Sequence, residues 1–411
     1  MLADLFDAFF FDLDGVVYIS RELTPGAQEA LSRLRERDKT IRFLTNNPTT
    51  RKRITKRLHR MGIDAKDEEV ITSGWVTGVY AAEHGIRRAW VLGDDYLKEE
   101  IANAGVKIVN DFTCDAVIAG WGDSITLAEI RRAALAIHNG VTFIATNADC
   151  NFPSENGPLA AVGAVVEALH VASGRSPQII GKPYSPMFLK ALDTLTFSSD
   201  KAVMIGDTPS VDILGAHQIG MQAILMGENI SFPFSNDYRN ADAHIVTLLD
   251  LFDPDVSIRE WQAPSHIWPQ SVEPGVAGVV FNDKGEVLLM KRADNGLWGI
   301  PSGHIEPAEK VEHAIIREIF EETGLEVEVQ RLIGVYSDPA SQIIRYPDLK
   351  ICHFITTCFE CKMKGGILKK TGEETLNAGF FDPQKLPTPL MPMHPQWLSD
   401  ALSHCEKSYI R

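Results

Sequence analysis

Residues 303–325 read GHIEPAEKVEHAIIREIFEETGL, and their spacing predicts a loop, a helix and a closing turn. Five residues separate Gly303 from Glu309 and seven separate Glu309 from Arg317, after which come Glu318, Glu321, Glu322 and Gly324. Pro307 suits the first turn of a helix and Gly324 suits its end. At about 100° of rotation per residue, Glu318, Glu321 and Glu322 share an arc of roughly 100°. Ile315, Ile316, Ile319 and Phe320 fill the neighbouring arc, which sets the carboxylates at the edge of a buried face. Three crowded negative charges repel one another unless a cation joins them. Hard oxygen ligands of this kind suit Mg²⁺ or Mn²⁺.

A solvated acidic helix is the plain alternative, and the fixed Gly, Glu and Arg positions argue against it. The whole spacing resembles the Nudix box, the loop-helix-loop that holds divalent metal for diphosphate hydrolysis. Leu297-Trp298-Gly299-Ile300-Pro301-Ser302 is similar to the approach to that box, with Ser302 where a second glycine is more usual. The resemblance covers 272–411 and implies an α+β fold with mixed sheets between helices. It implies Glu318, Glu321 and Glu322 as metal ligands, with Glu309 and Arg317 supporting them. Tyr336 and Tyr346 are candidates to stack on a base, in segments similar to the branch acting on ADP-ribose and other nucleoside-diphosphate-linked compounds. The general base stays open between Glu321 and the pair Glu373 and Glu374, because Asn377 stands where that branch often has a glutamate.

A different chemistry is written at the other end. Ala8-Phe9-Phe10-Phe11-Asp12-Leu13-Asp14-Gly15 is an apolar strand closing in two aspartates and a glycine turn. Ile41–Leu44 runs into Thr45-Asn46-Asn47, Ile179-Ile180-Gly181 runs into Lys182, and Ala202–Ile205 runs into Gly206-Asp207, with Asp212 beyond. In parallel α/β sheets ligands bind at the carboxyl ends of the strands, so these four ends point to one site. The set, in this order, resembles the haloacid dehalogenase superfamily of phosphohydrolases. That resemblance implies Asp12 as nucleophile forming an aspartyl-phosphate, and Asp14 as general acid and later base. It implies Thr45 and Asn46 on the phosphoryl oxygens and Lys182 between Asp12 and the phosphate. Mg²⁺ would be held by Asp12, Asp207 and the Asp14 carbonyl, oriented by Asp212.

The fold class expected is therefore α/β, a Rossmann-like doubly wound parallel sheet with an inserted α/β cap, followed by the α+β Nudix fold. The phosphatase core is expected over 1–75 and 180–252, the cap over 76–179, a linker over 253–271 and the Nudix domain over 272–411. Within the cap, Thr146-Asn147-Ala148-Asp149 and Phe152-Pro153 are similar to the nitrophenyl-phosphate and nucleotide phosphatase branch, which makes Asn47 and Asn147 candidate substrate contacts. Gly122 departs from that branch, where an acidic residue is usual.

A chain of 411 residues exceeds one ordinary core. The net charge of −15 argues against nucleic acid or an anionic membrane as partner. It leaves small phosphorylated metabolites and nucleotides, since a bound cation locally reverses the field; a homodimer is left open. Six cysteines give no disulfide framework, and Cys358 and Cys361 are read as structural. The opening segment reads as a buried strand and not a signal peptide, and no apolar run spans a bilayer, so the expected compartment is the cytoplasm. Two hydrolytic sites on one chain suggest consecutive chemistry. The rivals are a Nudix activity on nucleoside triphosphates beside an unrelated phosphatase, or one half retained as a ligand sensor.

Overall fold

The computed structural model describes residues 1–411 except 153–156, 196–197, 347–349, 404 and 406. Pro153 of the motifs quoted above lies outside the described residues. The chain divides into two compact units, Met1–Pro264 and Ser265–Arg411.

In the first unit the strand Ala8–Asp12 is completely enclosed, because phenylalanines at 9, 10 and 11 load both of its faces. Phe9 and Phe11 stack on one side at 6.4 Å, while Phe10 joins the core on the other. Such two-sided apolar strands belong in a parallel sheet covered by helices. The sheet has six parallel strands in the order Ala243–Ile245, Gln222–Met226, Ala202–Gly206, Ala8–Asp12, Thr40–Thr45, Val70–Thr72. The order reverses at Ala8–Asp12, which is where a doubly wound sheet opens its crevice.

A second parallel sheet, of five strands, is inserted between Val70–Thr72 and Ala202–Gly206. Its order is Gln178–Ile179, Thr142–Ala145, Ala116–Ala119, Arg88–Leu92, Lys107–Val109. The helices Ser73–Glu83 and Ser185–Asp193 contribute Val76, Ala81, Met187 and Phe188 to an apolar cluster that also holds residues of both sheets. Past the last strand, Trp261 lies flat on His217 with ring centres 3.7 Å apart, so part of the expected linker is packed on the core.

The second unit is built on a mixed nine-stranded sheet whose long strands are Ser271–Phe281, Leu325–Tyr336 and Ile351–Gly366. The helix Val311–Thr323 packs one face with Ala314, Ile315 and Ile319 against Val276, Val280 and Leu288. The other face carries Trp397 and Ala401 of the helix Trp397–Leu402. Two expectations about the 311–323 helix are corrected. Pro307 does not open it: Ala308 takes φ 67 and the helix starts only at Val311, because the Glu309 carboxylate holds the preceding turn through the Glu306 N–H at 3.0 Å. Phe320 is not on the buried face but 49% exposed, since it lies about 100° round from Ile319. Gly324 ends the helix with φ 72, the left-handed conformation that glycine adopts without strain. Cys358 and Cys361 are both buried free thiols, and burial pushes their pKa values up, the latter to about 12. Thiols so rarely ionised fit a packing role.

Candidate active sites

At the switch point of the first sheet, Lys182 Nζ donates to Asp12 Oδ1 at 2.5 Å and to Asp212 Oδ1 at 2.6 Å. Asp207 joins them: one carboxylate oxygen from each of Asp12, Asp207 and Asp212 falls within 4.8 Å of the others. Glycines make this crowding possible. A Cβ on Gly15, which has φ 91, would overlap the Asp207 carboxylate, and one on Gly206 would overlap that of Asp212. Burial pushes the Asp12 carboxyl up to about 8 against the pull of Lys182. Burial works to lower the Lys182 ammonium, but Asp12 and Asp212 offset this and hold it above its ordinary value. Three carboxylates facing one ammonium leave an excess of negative charge on hard oxygen donors, a composition that fits a divalent cation. Asp212, expected only to orient such a shell, offers an oxygen to the group itself. Asp14 puts no carboxylate into it.

Asp14 is exposed two residues past the end of the strand Ala8–Asp12, bridged to Tyr18. Partial desolvation raises its pKa, opposed by Arg57, Lys182 and the Tyr18 hydroxyl. A carboxyl with raised proton affinity is suited to donating a proton to a leaving oxygen. Arg57 is itself placed by its contact with the Tyr18 ring, 4.0 Å from the guanidinium carbon.

Thr45 and Asn46, expected on the phosphoryl oxygens, stand at the end of the strand Thr40–Thr45 and the start of the loop after it. Thr45 is buried, with its Oγ1 accepting the Asn47 N–H at 3.1 Å, and Asn47 Oδ1 accepts from Thr49 N–H at 3.1 Å. The Asn46 carboxamide is wholly engaged: it donates to Asp149 Oδ1 at 3.0 Å and Lys182 O at 2.9 Å, and accepts from Lys182 N–H at 2.8 Å. Asn147 is 2% exposed and donates to Asn46 O at 2.7 Å. Both amides thus brace loops instead of facing open space. Gly122, which departs from the acid usual in the branch it resembles, abuts backbone: a Cβ would come within 2.9 Å of Gly93 C. A side chain there has no room.

The second unit has a cleft of about 1410 Å³ walled by Glu318, Glu322, Arg292, Glu374, Phe354 and Trp397. Glu322 is buried and accepts the Ser302 N–H at 3.1 Å; burial drives its carboxyl up to about 8 although Arg292 opposes it. Glu318 is also raised by burial and lies 2.9 Å from Arg317 Nη1. Gly303 packs on it so closely that a Cβ would overlap the Glu318 carboxylate. Arg317 is the organiser of this corner: it reaches Glu309 at 2.9 and 3.0 Å, Glu321 at 3.1 Å and His304 O at 3.0 Å. That fork holds the Glu309 carboxyl down at about 2. Glu321 is the outermost of the three helix glutamates, its side chain 57% exposed. Glu318, Glu321 and Glu322, with Glu309 and Glu374 nearby, outnumber the two guanidiniums beside them, Arg292 and Arg317, a composition that fits a hard divalent ion.

Glu374 lies close enough to Glu318 and Glu322 to raise both, whereas Asn377 is exposed on the strand Thr375–Phe381 beside Lys291. Tyr346 lies 6.5 Å from the Phe354 ring, and His304 lies 5.4 Å from the same ring. Tyr336 is 2% exposed, its hydroxyl donating to Asp400 at 3.0 Å, which leaves it a floor residue of the cleft and not a free stacking plate. The sequence reading passed over Tyr18, Arg57, Arg292 and Asp400, which carry no local signal. Asp149 does carry a local signal, since its N–H two residues after Asn147 makes an Asx turn with Asn147 Oδ1.

Fold and geometry define a hydrolase with a capped, aspartate-based phosphatase site and a separate acidic diphosphate-type cleft. Residues 9–107 match the family model for haloacid dehalogenase-like hydrolases, 179–248 match a HAD-hydrolase-like model, and 272–401 match the NUDIX domain. The acid sugar phosphatase of Staphylococcus aureus is 35% identical over 228 residues, 55% of this chain and 88% of that protein. Among solved structures, the glycerol phosphate phosphatase of Mycobacterium tuberculosis in complex with magnesium has a TM-score of 0.56 at 28% identity, over 61% of this chain and 77% of that one. The p-nitrophenyl phosphatase of Archaeoglobus fulgidus has a TM-score of 0.56 at 27% identity, over 60% and 98%. The chain belongs to the haloacid dehalogenase-like hydrolase family and carries a NUDIX domain at its carboxyl side. No helix among the described residues is long and apolar enough to cross a membrane.

Proposed function

We propose that this chain is a bifunctional Mg²⁺-dependent hydrolase, a phosphomonoesterase working through Asp12 and a Nudix hydrolase cleaving a nucleoside-diphosphate-linked metabolite. The phosphatase would comprise a core of 1–75 and 180–252 under a cap of 76–179. The observation that carries the proposal is the pair of carboxylate sites: Asp12, Asp207 and Asp212 around Lys182 in one unit, Glu318 and Glu322 on a cleft of about 1410 Å³ in the other.

In the first site the Asp12 carboxylate attacks phosphorus as the ester P–O bond breaks, and Asp14 gives its proton to the departing oxygen. Asp14, now a carboxylate, takes a proton from the water that attacks the aspartyl-phosphate, which returns Asp12 and releases phosphate. Lys182 balances charge between Asp12 and the phosphoryl group. A divalent cation on Asp12, Asp207 and Asp212 would neutralise further phosphoryl charge. In the second site Glu318, Glu322 and the more exposed Glu321 would hold divalent metal that neutralises the diphosphate. Glu321, or Glu374 whose charge raises both Glu318 and Glu322, would take a proton from the attacking water.

The second cleft exceeds the ~300–1,000 Å³ of ordinary small-molecule pockets. That size favours a two-headed diphosphate over a nucleoside triphosphate, with Tyr346 and Phe354 as the aromatic end. Cleaving a nucleoside diphosphate sugar yields a nucleotide and a sugar phosphate, and both are phosphomonoesters. The likeness to a sugar phosphatase makes the sugar phosphate the better candidate for the Asp12 site. The test is turnover of ADP-ribose, NADH and nucleoside triphosphates, and of sugar phosphates and nucleotides, with Mg²⁺. The proposal expects two-headed diphosphates and sugar phosphates to be preferred. Preference for triphosphates would replace the Nudix half of the reading.

A further inference from the structure

We propose that Asp149 is a positioning residue for the phosphatase site, a carboxylate of the inserted sheet that fixes Asn46 and through it the lysine at the nucleophile. The inference rests on the reading of Asp12 as nucleophile. Asp149 lies in the loop after Thr142–Ala145, and nothing in the reaction above uses it.

Its loop is built to hold it still. The Asp149 N–H donates to Asn147 Oδ1 at 3.1 Å, and Asp149 O accepts from Gly163 N–H at 2.9 Å. Gly163 is the residue type that permits this: a Cβ there would stand 2.8 Å from both Ala148 O and Asp149 O. So anchored, the carboxylate receives Asn46 Nδ2 at 3.0 and 3.2 Å. Asn46 directly follows the strand Thr40–Thr45 of the six-stranded sheet, so this is a clasp between the cap and the core.

Asn46 then grips the Lys182 backbone from both sides, accepting its N–H at 2.8 Å and donating to its carbonyl at 2.9 Å. Gly181 allows the approach, since a Cβ on it would lie 2.6 Å from Asn46 Oδ1. From that fixed backbone the Lys182 side chain runs to Asp12 and Asp212. A carboxamide can turn over and exchange its oxygen for its NH₂. An anion opposite Nδ2 forbids that exchange, because a turned amide would set Oδ1 against the Asp149 carboxylate and NH₂ against the Lys182 N–H. Asp149 thereby sets the orientation of Asn46, and Asn46 sets where the lysine begins. Displacing a group at the reacting centre by about 1 Å can cost on the order of a hundredfold in rate.

The experiment uses the full chain with p-nitrophenyl phosphate and saturating Mg²⁺. Asp149→Ala should lower kcat at least about tenfold with KM within about twofold. Asp149→Asn, which can still accept from Asn46 Nδ2, should recover most of the rate. A double-mutant cycle with Asn46→Ala should be strongly non-additive, since both variants break one relay. Unchanged kcat, a loss confined to KM, additive effects, or no recovery in Asp149→Asn would each overturn the role. Asp12→Asn is run alongside: if it retains activity the nucleophile reading has failed, and if it is dead while Asp149→Ala is normal only the present inference has.

Discussion

Lys182 donates to Asp212 at 2.6 Å with the same ammonium that reaches Asp12, so one buried cation is shared by Asp12, the last residue of its strand, and Asp212, in the helical turn that follows the neighbouring strand Ala202–Gly206. Lys182 is 3% exposed and Asp212 1%, which makes their pairing an all-or-nothing contact.

Removing one partner of such a buried pair leaves charge without compensation, at roughly 3–5 kcal/mol. Lys182→Met should therefore lower the melting transition of the phosphatase unit and cut phosphate-ester hydrolysis at least about a hundredfold. Added Mg²⁺ should restore part of the lost stability, by joining the three carboxylates. Thermal unfolding with and without Mg²⁺ checks it, and an unchanged transition would count against the charge balance described.

A similar argument holds for Arg317, which ties Glu309, Glu318 and Glu321 together. Arg317→Lys keeps one charge but loses the fork that grips Glu309. Diphosphate hydrolysis should fall about ten- to a hundredfold, the usual cost of loosening groups behind metal ligands. Phosphatase turnover in the same preparation should stay constant, and a parallel fall in both would point to misfolding instead.

Gly303 predicts a steric result. A methyl group there overlaps the Glu318 carboxylate, so Gly303→Ala should weaken Mg²⁺ dependence and rate by about tenfold or more. Activity against a range of Mg²⁺ concentrations measures both.

Glu322 predicts a pH dependence whose sign can be worked out. Its carboxyl titrates near 4.5 in a free chain and at about 8 in the folded protein. Between those values the folded state keeps a proton that the unfolded state has lost, so stability falls as pH rises. The contribution is full below about 4.5 and gone above about 8. In metal-free protein the Nudix transition should fall across that window, and Glu322→Gln should flatten the slope. A transition that rises over the same window would contradict the burial assigned to this group.

The sequence was readable where chemistry is local. Asp12 and Asp14 follow an apolar strand, Gly324 closes a helix, and Gly303 to Glu322 keep a fixed spacing, so each could be placed from its neighbours. It was unreadable where partners are distant. Asp149 meets Asn46 across 103 positions and Arg57 rests on the Tyr18 ring, and neither contact leaves a mark on flanking residues. The resemblance implies Asn46 on the phosphoryl oxygens and Asn147 as a substrate contact, and it carries no sign of the partners their amides have in the structure, the Lys182 backbone 136 positions away and Asn46 O 101 positions away. Pro307 misled because a proline suits a helix start, but a tertiary contact decided otherwise: Arg317 holds Glu309, and Glu309 holds the turn.

The most direct test of two independent active sites is one preparation assayed on two bonds. Wild type, Asp12→Asn and Glu322→Gln are each given p-nitrophenyl phosphate and ADP-ribose with saturating Mg²⁺. The account predicts that Asp12→Asn loses ester hydrolysis and keeps diphosphate cleavage, while Glu322→Gln does the reverse. Loss of both activities in either variant, or of neither, would contradict it.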